Sequence, residues 1–310
     1  MRITIRQPLK PFSLQPGFRC LIPLTTWEAH IFPTKALLSD LSSNQKEEIP
    51  LPFGGKLDGF RVTVDLEKGR IEVVSKRTKP FYLTAESFSE INAMPLSQSK
   101  KRLSLGIHKK QDADLILRRG DMAELFPFWL RIADLIPEVS LPAEPVGTMH
   151  LLSPKSLPEL ALAGFEGFFC PRLSDPMHLG LVESEMVPNG ASPIGLLHEG
   201  ARLIESLFFV QNGDSIHILP QLPKEFHAGR FVHLETREGD RFDLEWSKKE
   251  LKKVVLRPAV ERDISLCLQS KLKSFRVRTD LRARGHRVQS KKPFFIKPGQ
   301  VLYCDRFSHS

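Results

Sequence analysis

The sequence predicts a mainly β protein with a helical insert (α+β): two β-sandwich-like domains joined by a short helical segment. Three observations carry this expectation. Short alternating runs of apolar and polar residues, punctuated by Gly and Pro, fill both ends of the chain. Two strong patterns at helical spacing, Asp121–Ile136 and Ile194–Val210, lie between those ends. Strands, then helices, then strands again is the order of β layers flanking a helical piece. The expected boundaries are 1–118, 119–214 and 215–310.

In the first part, Val62–Ser75 holds two alternating runs around Lys68-Gly69, which is a hairpin signal. FRCLIPL (18–24) and RLSLGIH (102–108) are further strands. Turn residues fall at Pro52, Gly54-Gly55 and Pro95, and Pro8, Pro11, Pro16, Pro23 and Pro33 argue against an opening helix. In the first helix Asp121 is placed as the N-cap and Glu124 completes a capping box. Leu125, Phe128, Trp129 and Ile132 share one face. Pro127 falls near the first turn or kinks the helix, and Pro137 ends it. Glu138–Pro145 is a Pro-rich connector. Ser156–Phe169 reads as a helix entered through Pro158, and the stretch from Cys170 to Pro193 as irregular. In the second helix Leu197, Ala201, Ile204 and Phe208 repeat, and Asn212-Gly213 is read as its C-terminal cap. Ser215–Phe307 returns to strands, with turns at Gly229, Gly239, Gly285 and Gly299.

Composition narrows the function classes. No apolar run approaches the roughly 20 residues of a membrane helix. The start lacks an apolar leader region, so a cytoplasmic protein is expected. Cys20, Cys170, Cys267 and Cys304 form no CxxC pair and are read as reduced core residues, with disulfides or a zinc site as alternatives. The net charge of +9 is uneven. Residues 248–310 hold 17 Lys and Arg against 5 Asp and Glu, a net +12, which leaves −3 for the rest. Such asymmetry points to an anionic partner: nucleic acid, anionic glycan or membrane surface. There is no GxSxG and no phosphate-binding or dinucleotide fingerprint, so no cofactor is expected. Asp175 with His178 offers too few ligands for a metal.

The richest stretch is Ile216–Trp246. IHILPQLP (Ile216–Pro223) follows a helix (Leu203–Val210) and Asn212-Gly213, and GDRFDLEW (Gly239–Trp246) comes after it. This order resembles the C-terminal region of family 95 glycoside hydrolases, the fucosidase-type enzymes. The resemblance implies a C-terminal β-sandwich packed on helices of a large catalytic barrel, with a separate N-terminal β domain. Residues 119–214 are too few for that barrel. In the family the catalytic base is an Asp in an Asp-Gly-Asn-Phe-Gly-like motif. Counting back from the helix glutamate matched to Glu205, that Asp falls at Ile194 and its Gly at Gly195. Inverting hydrolysis needs a base and a second carboxylic acid, and Ile194 cannot accept a proton.

Several side chains remain as candidates. Glu199, with His198 beside it, is either a displaced carboxylate near the old sugar pocket or part of a solvated helix surface. Glu183 and Glu185 read as a carboxylate pair or as an ordinary loop. Trp27 is the aromatic residue offered for sugar stacking, while Trp129 and Trp246 read as core. In Ser274–Val288, Phe275, Val277, Thr279 and Leu281 share one strand parity and Arg276, Arg278, Arg282 and Arg284 the other. That places guanidinium groups on one face, either to hold anions or as a solvated surface. No aromatics interleave for base stacking, so nucleic acid is the less favoured partner. Three functions follow: a glycan-binding or structural protein on a hydrolase scaffold, an active glycosidase with a rearranged carboxylate site, and a basic module for an anionic surface. A separate helical protein partner would substitute for the missing barrel.

Overall fold

A computed structural model describes residues 4–8, 18–43, 45–53, 58–66, 68–76, 78–87, 101–106, 122–138, 165–166, 170–171 and 193–309. They divide into two compact units, one of residues 1–98 and 108–201, the other of 99–107 and 202–310.

The first unit contains two antiparallel four-stranded sheets. One sheet joins β1 (Thr4–Pro8), β6 (Arg61–Asp65), β7 (Arg70–Val74) and β8 (Phe81–Leu83) in that order. The other runs β2 (Phe18–Leu21), β3 (Trp27–Ile31), β4 (Lys35–Asp40) and β5 (Lys46–Pro50). The predicted hairpin is β6–β7, and Gly69 at its turn has φ +61°. In β3 and β4 every second residue is buried, so each strand turns one face to the core.

Helix α1 (Met122–Leu135) is buried over most of its circumference, from Glu124 through Ala133 and again at Leu135. The sequence reading gave it a single apolar face. The difference arises because it packs against several partners at once, as an all-round apolar helix must. Leu24 N donates to the Leu135 carbonyl at 2.8 Å, and Arg131 reaches the Leu66 carbonyl at 3.4 Å. On another side Trp129 Nε1 donates to the Leu197 carbonyl of helix α2 (Pro193–Ser206) at 2.8 Å. Gly200 makes this approach possible, since a Cβ there would lie 2.7 Å from Cε2 of the Trp129 ring.

Two expected helices are corrected. Phe165–Glu166 (β10) pairs antiparallel with Cys170–Pro171 (β11), so the helix read over Ser156–Phe169 does not hold at its end. Helix α2 stops at Ser206 instead of reaching Val210. Phe209–Asn212 (β12) instead forms a hairpin with Ser215–Ile218 (β13). Asn212-Gly213 is therefore part of a hairpin turn and not a helix cap. Gly213, at φ +59°, is the first of the two loop residues, the place where such a turn takes Gly. Phe208 to Val210 are aromatic and β-branched residues that fit a pleated sheet as well as a helix.

The second unit is a two-sheet sandwich. β12, β13, β17 (Arg262–Cys267) and β20 (Pro293–Ile296) form one sheet, with β13 and β17 parallel. The larger sheet has the order β19 (His286–Gln289), β18 (Ser274–Arg278), β21 (Leu302–Ser308), β16 (Glu250–Arg257), β15 (Arg241–Ser247), β14 (Ala228–Glu235) and β9 (Arg102–Ser104). Rings from the two sheets meet between them: Phe209 with Phe242 at 5.1 Å and Phe275 with Phe294 at 5.9 Å. Phe208 sits 5.4 Å from Trp246 and 5.6 Å from Phe231. Gly239, Gly285 and Gly299 lie at positive φ as turn residues, whereas Gly229 lies inside β14 and is corrected to a strand position.

The β15–β16 turn is built from Lys248 and Lys249, at φ +53° and +63°. For a residue with a Cβ, each such conformation costs about 1–2 kcal/mol. The turn persists because Lys249 N donates to the His227 carbonyl and Gln269 Nε2 donates to the Lys249 carbonyl, both at 2.8 Å. Lys249→Gly keeps both backbone groups and removes the Cβ. It is expected to raise stability by about 1 kcal/mol, read as an increase in the urea midpoint at unchanged slope.

Candidate functional site

The site grows out of the β18–β19 hairpin and the neighbouring strand β21. Phe275 and Val277 alternate into the core, so Arg276 and Arg278 must turn to the other face of β18. Register sets Arg276 opposite Asp305 of β21 on one side and Arg287 of β19 on the other. Arg276 binds Asp305 through two parallel bonds, Nε to Oδ1 at 2.8 Å and Nη2 to Oδ2 at 3.0 Å. Arg278 shares the same carboxylate through Nη2 and donates from Nη1 to the Leu281 carbonyl. One carboxylate thus fixes two guanidinium groups, which are only 19% and 17% exposed.

Strand β18 ends at Arg278, so Arg282 and Arg284 do not continue its parity as expected. They lie on the hairpin loop, where Asp280 Oδ1 accepts the Arg282 N–H at 2.6 Å and the Asp280 carbonyl accepts Ala283 N at 3.1 Å. Thr279 and Leu281 likewise leave the buried parity, and Leu281 is 57% exposed. Gly285 brings the loop back against the strand. A Cβ there would lie 3.0 Å from Cβ of Arg278 and would collide with the Val277 carbonyl. The loop thereby closes a groove of about 550 Å³ that all four predicted arginines line together with Arg287 and Arg306. The last two were not singled out from the sequence. Arg287 belongs to β19 and Arg306 to β21, and only strand register brings them to the loop.

The Arg276 hydrogen bonds hold the Asp305 carboxyl below the usual carboxylate range, burial opposing and the Arg278 charge assisting. Burial raises the Asp40 carboxyl, but hydrogen bonds from Ser43, Thr26 and Ser42 outweigh it and leave it lowered too. A carboxyl depressed by folding contributes stability that is complete above its unfolded pKa and is lost as pH falls through the folded value. Tm is therefore expected to fall as pH drops below about 4. Asp305→Asn should begin from a lower Tm and show a shallower acid slope, and an unchanged slope would remove Asp305 from this account.

The other candidates are dispersed. Trp27 opens β3 and is 8% exposed, a ring without an open face. His198 is half-buried on α2, with Nε2 3.4 Å from the Pro137 carbonyl. Glu199 follows it on the helix, and its side chain lies outside the described residues, as do Asp175, His178, Glu183 and Glu185. Ile194 is fully buried near the start of α2, and Glu205 is tied to Lys101 at 2.7 Å. A second groove, of about 450 Å³, is lined by Arg19, Glu28, His30, Lys46, Glu47 and Glu48, whose charges are mixed. No group of three His, Cys, Asp or Glu among the described residues could hold a metal. No helix among them is long and apolar enough to cross a membrane. Cys20 and Cys304 are buried free thiols, and burial, with Asp305 nearby, pushes Cys304 up to about 12.

Comparison with known proteins adds one finding. The family model of the glycoside hydrolase family 95 C-terminal domain matches residues 211–297. No curated protein matches the chain. The match spans both sheets of the second unit and includes β18, β19 and the arginine loop between them.

Proposed function

We propose that this protein derives from a glycoside hydrolase scaffold and binds carbohydrate without hydrolysing it. The match of residues 211–297 to the family 95 C-terminal domain is the observation that carries this reading. Its second support is chemical. Under the resemblance, counting back from Glu205 puts the family's catalytic base at Ile194, a fully buried hydrocarbon. Hydrolysis with inversion requires one group to take a proton from water and another to give one to the leaving oxygen. A sec-butyl side chain does neither.

The segments that carry the resemblance serve architecture in this chain. Ile216 and Ile218 are fully buried, and Leu219 N donates to the Phe208 carbonyl at 2.7 Å. In GDRFDLEW, Asp240 anchors the turn and Trp246 fills the core. What persists is therefore a sandwich that can present a binding surface.

The test is an array of neutral fucosylated glycans, anionic glycans and duplex DNA, read at about 0.15 M salt and again at higher salt. Retention of at least one glycan class over DNA is expected. Binding to DNA alone, or to nothing on the array, would overturn the reading.

A further inference from the structure

The geometry points to the arginine groove of the second unit as a binding site for an oligosaccharide bearing clustered sulfate or carboxylate groups. This rests on the carbohydrate-binding reading and goes further, since it names a place and a ligand class. Six guanidinium groups line the groove, those of Arg276, Arg278, Arg282, Arg284, Arg287 and Arg306. Residues 274–289 and 302–308, which form it, hold only two carboxylates, Asp280 and Asp305. The concave surface is thus strongly of one sign.

The arrangement is also preorganised. Arg276 and Arg287 face each other directly across β18 and β19. Like charges in that register destabilise a sheet. Asp305 offsets part of this and at the same time locks Arg276 and Arg278 in place. Arg282, Arg284, Arg287 and Arg306 are exposed. Among the described residues, the side chains of Arg282 and Arg284 make no ion pair. Guanidinium forks match the planar, multiply accepting oxygens of sulfate and carboxylate.

Shape selects among anions. A concavity of about 550 Å³ suits a short oligosaccharide. Single-stranded nucleic acid is read through aromatic stacking platforms. The groove lining contains no Phe, Tyr or Trp; its rings stop at His286. Leu281, exposed on the loop, offers an apolar contact for a sugar face.

The test compares three probes by titration calorimetry: a sulfated heparin-derived hexasaccharide, a neutral fucosylated oligosaccharide, and a single-stranded oligonucleotide of charge equal to the hexasaccharide. The proteins are the full chain, Arg282→Ser/Arg284→Ser and Arg282→Lys/Arg284→Lys. Both variants alter exposed loop side chains, and a matching Tm verifies the fold. The hexasaccharide should bind the parent chain most tightly. The Ser variant should lose about tenfold or more, the scale of one charge-assisted hydrogen bond. The Lys variant should fall between, because it keeps charge but loses the planar fork. Equal hexasaccharide affinity in parent and Ser variant overturns the site, and so does an oligonucleotide bound at least as tightly. Neutral-sugar binding with no hexasaccharide binding overturns this inference and leaves the broader reading standing. Binding of neither sugar overturns both.

Discussion

Asp240→Ala should lower the stability of the second unit by about 3–5 kcal/mol, the cost of removing one partner from a buried ion pair. Asp240 is fully buried. Its Oδ2 accepts from Arg262 Nη2 at 2.6 Å, and its Oδ1 accepts from Ala259 N at 2.7 Å. Arg262 is 14% exposed and also reaches Glu238 and Asp214, each at 3.0 Å. Without Asp240, a largely desolvated guanidinium keeps only its two outer partners, and the Ala259 N–H loses its acceptor. Arg262→Ala leaves the opposite orphan, a buried carboxylate. Removing both together should cost less than the sum of the two single changes, because neither charge is then stranded. Urea unfolding of the two single variants and the double variant measures the coupling. A loss below about 1 kcal/mol for Asp240→Ala would show that the cluster behaves as an exposed pair.

Gly229→Ala is expected to cost about 2–3 kcal/mol, the upper part of the range for overpacking a close-packed core. A Cβ at Gly229 would collide with Cζ2 of Trp246 and lie 2.8 Å from both Cε2 of that ring and the Ser104 carbonyl. The indole cannot retreat easily. It is 1% exposed, donates from Nε1 to the Phe226 carbonyl at 3.2 Å, and packs against Phe208. The Ser104 carbonyl belongs to β9, whose pairing with β14 fixes it in place. Trp246→Phe in the Gly229→Ala background should recover part of the loss, since the smaller ring vacates the contested volume. If the two changes simply add, the clash is not the cause.

The β character, both helices and the β6–β7 hairpin follow from local periodicity and turn chemistry, because such signals lie within a few residues. The family resemblance was legible in IHILPQLP and GDRFDLEW, strings whose residues fill the core and anchor a turn. Gly229 reads as a turn in the sequence because an isolated Gly is the usual punctuation. Its reason for being there is Trp246, on the neighbouring strand, and Ser104, far away in the chain. The end of α2 was misplaced because Phe208 satisfies the helical period and the sandwich core alike, and only pairing with β13 decides between them. At the groove, Arg276 and Arg278 were legible from alternation. Arg282 and Arg284 were found by a parity that the strand does not keep, and they reach the groove because Gly285 folds the loop back. Arg287 and Arg306 needed the register across β19, β18 and β21, which no local pattern records.

The most direct measurement of the central claim is NMR of the full chain with a fucosylated and a sulfated oligosaccharide in the same tube. Saturation transfer reports binding, and the anomeric signals report cleavage over a prolonged incubation. The account predicts transfer to at least one glycan, the sulfated one above all, with every anomeric signal unchanged. Appearance of a free reducing sugar at a rate that scales with protein concentration would contradict it. That result would mean that a carboxylate elsewhere in the chain performs the chemistry.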